Sequence, residues 1–416
     1  MATHDILVVG GAGVDTTVYV PALPLPYADT HTVPPVIDRI GNTGAGVALG
    51  CAALGLRTKF VDLIGDDPQG ELVRRALSGI DCSYGTAVAG TRRSVLLVGP
   101  DGRRSSLFDP RATPGEELPA NLYATVRPRH AHLSITDFSR KLFATLQGVP
   151  TSTDLHDWDG VNSYHEDFAY QADLVFLSAA ALPDPAATMR MILTRGRATT
   201  VVCTRGADGC LVLERDGHLR TFPAAPLPGP ITDTNGAGDA FVSGFLYGRL
   251  RGLPPATSVQ LRPAASSVPS VSSASSLQET LSAQETSSVQ EDQSVQEGQS
   301  VQEGQSAPSV QPEPFASSGQ SGASAQPGPS DGMTPARRLG GMAQVGRLGG
   351  MAQVGRSGGM AESGLLATSV QLGALAGAHA CTVEGTHEAP ITEPALLAAH
   401  SHTFGTQAES GNSSPE

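Results

Sequence analysis

Aromatic residues are scarce in this 416-residue chain, at 5%, with a single Trp, and charged residues make up only 16%. One uniformly packed globular unit of this length would carry more of both, so part of the chain is expected to lie outside any core. Lys and Arg total 27 against 40 Asp and Glu, and they form no cluster. The basic footprint that binding a phosphate backbone requires is therefore missing, which argues against a nucleic-acid partner. The five cysteines, Cys51, Cys82, Cys203, Cys210 and Cys381, include no C-x-x-C pair and are too few for a disulfide scaffold. A reducing cytoplasmic location is the simplest reading. The apolar run near the start, Ile6 to Val9, is too short and lacks the positive flank of a secretory signal. Residues 364–383 contain no Asp, Glu, Lys or Arg, but their Gln, His, Ser, Thr and Gly content favours a buried helix over a membrane span.

What is present divides into three stretches. From residue 5 to about 255, apolar strand-like runs (ILVVG, KFVDLIG, HAHLSI, LVFLS, TTVVCT) alternate with helical segments, the rhythm of an α/β fold. Asp67 followed by Pro68 marks one helix start, with Asp at the N-cap and Pro at the first helical position. Between 256 and 362 the composition turns to Ser, Gln, Glu, Gly, Ala and Pro, Phe315 is the sole aromatic, and the acidic excess grows. SVQEGQ and RLGGMAQVG recur there as low-complexity repeats, and such a stretch buries too little apolar area to offset the entropy of ordering it. Apolar helical patterning resumes at 363 and runs to 402, before a loose tail at 403–416. The expectation is one α/β domain made of residues 1–255 and 363–402, interrupted by a disordered insertion at 256–362.

Several motifs carry chemistry. Asp233-Thr234-Asn235-Gly236-Ala237-Gly238-Asp239 is a glycine-rich turn running into a helix. Backbone N–H groups of Gly236, Ala237 and Gly238 at such a start can hold developing phosphate charge, and Asp239 in the first turn can take a proton from an attacking hydroxyl. A plain helix cap is the structural alternative. Gly10, Gly11 and Gly13 suggest a dinucleotide loop, but TTVYV after them is a strand pattern where that motif needs a helix. His130 and His132 face one side of a strand, and with no third ligand at useful spacing they read as core or surface residues. His156 and Asp157, after a strand in TDLHDWDG, are candidates for a site's rim, with solvated loop residues as the plainer alternative.

The 233–239 heptad and its helix closely resemble the second signature, D-T-x-G-A-G-D-x-F, of the ribokinase, or PfkB, family of carbohydrate kinases. ILVVGGAGVDTTVYV is similar to the family's first strand, which implies that Asp15 binds substrate. GNTGAGVALGCAALGL resembles its first signature, with Gly41, Gly44 and Ala45 matching. Asn42 departs from the family's second Gly and Gly46 from a sugar-binding Asn, so Asn42 becomes the candidate for the missing amide. Residues 65–77 follow the family's G-x-D-x-x-G pattern as scaffold. Thr204-Arg205-Gly206-Ala207-Asp208-Gly209 resembles its T-x-G-x-x-G nucleotide loop, which would bring Thr204, Arg205, Gly206 and Gly209 to ATP, although the same residues also read as an ordinary hairpin.

A further departure is Ala181, where the family carries the Glu that organises Mg²⁺. Asp154, Asp157 and Asp173 are the nearby acids that could compensate. Asp233 falls where some members ligate a monovalent cation such as K⁺. Residues 26–41 and 92–108 read as the family's β-strand lid, drawn from stretches near 15–40 and 85–110. That lid excludes water and often serves in homodimers; Arg103 and Arg104 on it read as solvated. Residues 373–389 resemble the helix and turn that wall the adenine.

The resemblance thus implies a ribokinase-like three-layer α/β/α sandwich, interrupted by the low-complexity insertion. It implies an ATP- and Mg²⁺-dependent kinase that phosphorylates a hydroxyl of a small carbohydrate with Asp239 as general base. A nucleoside kinase on the same fold is the nearest alternative, and a catalytically weak sugar- or nucleotide-binding protein, motivated by Gly46 and Ala181, is a further one.

Overall fold

The computed structural model describes residues 2–253, 356–385 and 387–405, which belong to one compact unit built from two segments of the chain. Two sheets are present among these residues. The larger has nine strands: β1 (His4–Val9), β4 (Thr58–Ile64), β5 (Asp81–Thr86), β8 (Pro128–Leu133), β9 (Thr151–Asp154), β10 (Leu174–Ser178), β11 (Thr200–Thr204), β12 (Cys210–Glu214) and β13 (Leu219–Phe222), in the order β13-β12-β11-β10-β9-β8-β1-β4-β5. The pairings from β5 across to β11 are parallel, and β12 and β13 add antiparallel strands at one edge.

Helices cover both faces. On one lie α1 (Thr43–Ala53), α2 (Pro68–Ala76), α7 (Ala237–Arg251), α8 (Arg356–Ala380) and α9 (Glu393–Phe404). On the other lie α3 (Asp137–Arg140), α4 (Leu142–Thr145), α5 (Glu166–Gln171) and α6 (Pro185–Arg195). The period-two pleat divides each strand between the layers: Ile6 and Val8 enter one core, Leu7 and Val9 the other, and Leu174 and Phe176 alternate with Val175 and Leu177. That double coverage explains why these strands are unbroken apolar runs. The result is the expected three-layer sandwich.

The second sheet is the expected lid: β2 (Gly13–Tyr19), β3 (Ile37–Gly41), β6 (Arg93–Val98) and β7 (Arg104–Asp109), in the order β3-β2-β6-β7. Gly10 and Gly11, at φ of 76° and 81°, turn the chain out of β1 toward β2, a backbone region that favours glycine. Arg92, at the lid's base, ties it to the main sheet through both carboxylate oxygens of buried Asp62, each at 3.2 Å.

Local chemistry sets the helix starts as expected. The Asp67 side chain caps α2 by accepting from the Gly70 N–H at 2.7 Å, with Pro68 at its first position. Helix α8 packs closely along α7 because small residues face each other: a Cβ at Gly244 would fall 2.6 Å from the Leu372 carbonyl, and one at Gly373 2.8 Å from that of Phe241. This contact accounts for the glycine- and alanine-rich look of α8, and it delivers the loop after α8 to the start of α7. No helix among the described residues is long and apolar enough to cross a membrane. The expected insertion at 256–362 lies outside the described residues except where α8 begins at Arg356, and the tail beyond Gly405 lies outside them as well. All five cysteines are free.

Candidate active site

The site forms where the lid meets the start of α7. Gly236 adopts a left-handed conformation, φ 76°, and caps the helix without a side chain. Ala237, Gly238 and Asp239 make the first turn, whose N–H groups lack intrahelical acceptors. A Cβ at Gly238 would meet nothing within 4 Å, so a bulky anion can approach that backbone. Asp239 is buried, and its Oδ2 lies 2.9 Å from Nε2 of His387, in the loop after α8.

Asp15 sits within β2, opposite Arg39 of β3, and is 7% exposed. Its Oδ2 accepts from Nδ2 of Asn235 at 3.1 Å. Nη1 of Arg104, on the lid strand β7, donates to the other side of that amide, Asn235 Oδ1. Arg103 and Arg104 are both exposed, as expected; Arg103 pairs with Asp101, and Arg104 in addition reaches Asn235. Asp233 accepts the Asn235 N–H at 2.8 Å, and the preceding Thr232 N–H is held by the Cys381 carbonyl at 2.8 Å. A cleft is lined by Asp15, Thr17, Arg39, Asp233, Asn235 and His387, among others.

The glycines of the first signature play distinct parts. A Cβ at Gly41 would land 2.1 Å from Cγ of Asp15, so the glycine makes room for that carboxylate. A Cβ at Gly44 would lie 1.7 Å from the Gly10 carbonyl, which makes this residue a close contact between α1 and the end of β1. Asn42 has φ 69°, and its buried Nδ2 has no hydrogen-bond partner among the described residues. Gly46 faces the core of the site: a Cβ there would fall 2.5 Å from His387 Nε2 and 2.6 Å from Asp239 Oδ2.

Burial alone would lower the His387 pKa, but the hydrogen bond and charge of Asp239, with Asp15 and the Ile40 carbonyl, outweigh it and leave it raised. Geometry agrees, because Nδ1 faces the Ile40 carbonyl at 3.3 Å and Nε2 a carboxylate. Two acceptors require two N–H donors, which only the imidazolium has.

Thr204, Arg205, Gly206 and Gly209 lie outside that cleft, in the hairpin joining β11 to β12. Arg205 closes its own turn, donating to the Asp208 carbonyl at 2.8 Å, while Gly206, at φ 55°, has open space where a Cβ would be. In register, Thr204 pairs with Ser178, so this turn and the Ser178–Ala181 segment stand side by side at the strands' carboxyl ends.

Ala181 is exposed and supplies no oxygen. Among the described residues no group of three or more His, Cys, Asp or Glu could hold a metal ion. The side chains present therefore do not fit a protein-caged divalent cation. Asp173 is no substitute for the missing acid, because it precedes β10 at the opposite end from Ser178 and is bound to Arg197 and Thr151. Asp154 ends β9 with Oδ1 accepting the His156 N–H at 3.0 Å. His130 and His132 are core residues, both reaching Oγ of Ser152, at 2.7 and 2.9 Å.

Sequence reasoning did not find His387, Asn235, Arg104 or Arg39 as site residues. The one signal for His387 was indirect: a Gly at position 46 leaves a volume that some other side chain must fill.

Known proteins resemble this chain in sequence and fold. A model of the pfkB family of carbohydrate kinases matches residues 168–279. The acarbose 7(IV)-phosphotransferase of an Actinoplanes species is 50% identical over 269 residues, covering 62% of this chain and 90% of that protein. The solved structure of a microbiome-derived acarbose kinase is 45% identical, superposes with a TM-score of 0.56, and is covered to 89% by 60% of this chain. The ribokinase of Arabidopsis thaliana, solved with ribose and ATP, shares the fold at 20% identity and a TM-score of 0.52, over 61% of this chain and 87% of that one. The chain belongs to the pfkB family of carbohydrate kinases and is an ATP-using phosphotransferase acting on a hydroxyl group.

Proposed function

We propose that this enzyme phosphorylates a hydroxyl of a small carbohydrate, with Asp239 as general base and the backbone of Gly236, Ala237 and Gly238 as the anion hole. The observation that carries this reading is the placement of Asp239: a buried carboxylate in the first turn of α7, beside backbone N–H groups that no described side chain caps and a glycine with open space above it. Asp15, oriented by Asn235, and the amide of Asn42 would hold the acceptor, and Thr204, Arg205, Gly206 and Gly209 would flank ATP. Gly41 and Gly44 would serve acceptor binding through the backbone, Gly41 by making room for the Asp15 carboxylate and Gly44 by seating α1 on the end of β1.

The cleft lining, with Asp15, Thr17, Arg39, Asp233 and Asn235, offers hydrogen-bonding groups suited to sugar hydroxyls, which supports a sugar as acceptor. Acarbose, named in two relatives, is the first acceptor to try. Mg²⁺ would arrive with the nucleotide, because Ala181 removes a ligand from the protein side. A monovalent cation, where used, belongs at Asp233, and a homodimer would form through the lid. Residues 1–255 and the segment from α8 to 402 act as one catalytic domain, so deleting 256–355 should leave turnover intact.

The test is ADP release from ATP and Mg²⁺ with acarbose, ribose, fructose and adenosine, for the wild type and Asp239→Asn. Acceptor-dependent turnover, lost by roughly a thousandfold in the variant, supports the reading. Equal turnover in both would discard Asp239 as the base, and turnover with adenosine alone would favour a nucleoside kinase.

A further inference from the structure

The loop after α8 brings a second ionisable group into contact with Asp239. His387 is 7% exposed, its Nε2 is 2.9 Å from Asp239 Oδ2, and Oδ1 of the same carboxylate has no hydrogen-bond partner among the described residues. The imidazole reaches this place because position 46 is glycine. A methyl group there would already overlap Nε2, at 2.5 Å, and the Asp239 carboxylate, at 2.6 Å. The gap at 46 and the histidine at 387 therefore occupy one shared volume.

The lid holds the loop in position. Arg39 of β3 reaches Glu384 Oε1 at 2.9 Å and Glu388 Oε2 at 3.3 Å, gripping the chain on both sides of His387. Gly385 allows this approach, since it has φ 66° and a Cβ there would be 2.9 Å from Nε of Arg39. Nδ1 of His387 is anchored in turn on the carbonyl of Ile40, the residue after Arg39. The same lid strand thus fixes both the loop and the ring.

We propose that His387 is a positioning residue for phosphoryl transfer: it clamps Oδ2 of Asp239 from the volume that Gly46 vacates, fixes the carboxylate's rotamer, and leaves Oδ1 to meet the acceptor hydroxyl. A singly held carboxylate on a helix start would sample several rotamers, and a displacement of about an ångström of a reacting group is enough to slow a reaction by on the order of a hundredfold. The clamp also makes the base dependent on the lid, because Arg39 and Ile40 belong to the strand that must be in place for His387 to stand where it does. This inference rests on Asp239 being the base.

The experiment compares full-length wild type, Asp239→Asn, His387→Ala, His387→Leu and His387→Gln by steady-state kinetics with acarbose, ATP and Mg²⁺, alongside thermal unfolding. In His387→Ala, kcat should fall by roughly thirtyfold or more while the KM for ATP stays within about twofold. His387→Gln, which restores an N–H toward Asp239, should regain most of kcat, a rescue that a purely structural role would not give. His387→Leu fills the volume without a donor and takes the place of the alanine variant if that one does not fold. A kcat within about threefold of wild type in either folded variant, with Asp239→Asn inactive, overturns the positioning role and leaves the base assignment standing. Full activity of Asp239→Asn overturns both.

Discussion

Nε2 of His387 and Oδ2 of Asp239 lie 2.9 Å apart, inside a space that any side chain at position 46 would invade. Gly46→Ala therefore overpacks the pair even though residue 46 lies in an ordinary helical turn. The substitution should cost about 1–3 kcal/mol of stability and lower kcat/KM by at least about tenfold. Kinetics and urea unfolding of the purified variant check this; an unchanged kcat/KM would mean that the pair is free to move aside.

Arg104 tests the reach of the lid. Its guanidinium holds Asn235 Oδ1 while Asn235 Nδ2 holds Asp15, a chain that links a lid strand to the proposed acceptor carboxylate. Arg104→Ala should raise the acceptor KM by roughly three- to tenfold with kcat and the KM for ATP little changed. A loss confined to kcat would instead assign Arg104 to the transfer step.

Ala181 is exposed in the turn that follows β10, whose last residue, Ser178, pairs with Thr204, so a longer side chain has room. Ala181→Glu should lower the Mg²⁺ concentration needed for half-maximal turnover, by about threefold or more, by returning an oxygen group to that edge. Isothermal titration of MgATP into both proteins gives a second readout. Identical Mg²⁺ dependence would show that the nucleotide's phosphates already satisfy the ion.

Stability should fall on the acid side earlier than carboxylates alone would dictate. Burial holds His130 down to about 4 and His132 down to about 3, both below the ordinary 6.5. Folding favours their neutral forms, so this contribution is fully present above about 6.5 and is lost as pH falls toward those depressed values. His387 has the opposite sign: its raised pKa gives a contribution present below 6.5 and lost as pH rises through the folded value. The urea midpoint should drop between about pH 7 and about pH 5, and a flat profile there would contradict the assignment of the histidine pair as buried and neutral.

Much of the fold was legible in the chain because its signals are local. The buried strands announce themselves as unbroken apolar runs, Asp67-Pro68 states a helix start, and the 233–239 heptad states both a tight turn and the helix after it. Asp239 and the glycines before it could be singled out for the same reason, since the residue types of an anion-holding turn stand at fixed spacing in sequence, while Asp15 was pointed to by the resemblance of its strand to the family's. Asp173 could not be sorted that way, since nothing local tells which end of a parallel strand faces the site.

What the sequence determined by itself is therefore the α/β class, the two signatures and the departures at Gly46 and Ala181, all carried by neighbouring residues. What only the tertiary structure decided is how distant pieces complete the site. His387 meets Asp239 across 148 positions and Arg104 meets Asn235 across 131, and Arg39 grips a loop more than 300 positions away. These contacts exist because a nine-stranded sheet and the close packing of α7 on α8 bring remote ends together. No periodicity or motif records them, because the free energy that fixes them comes from burying the whole core and not from any local preference of the residues that touch.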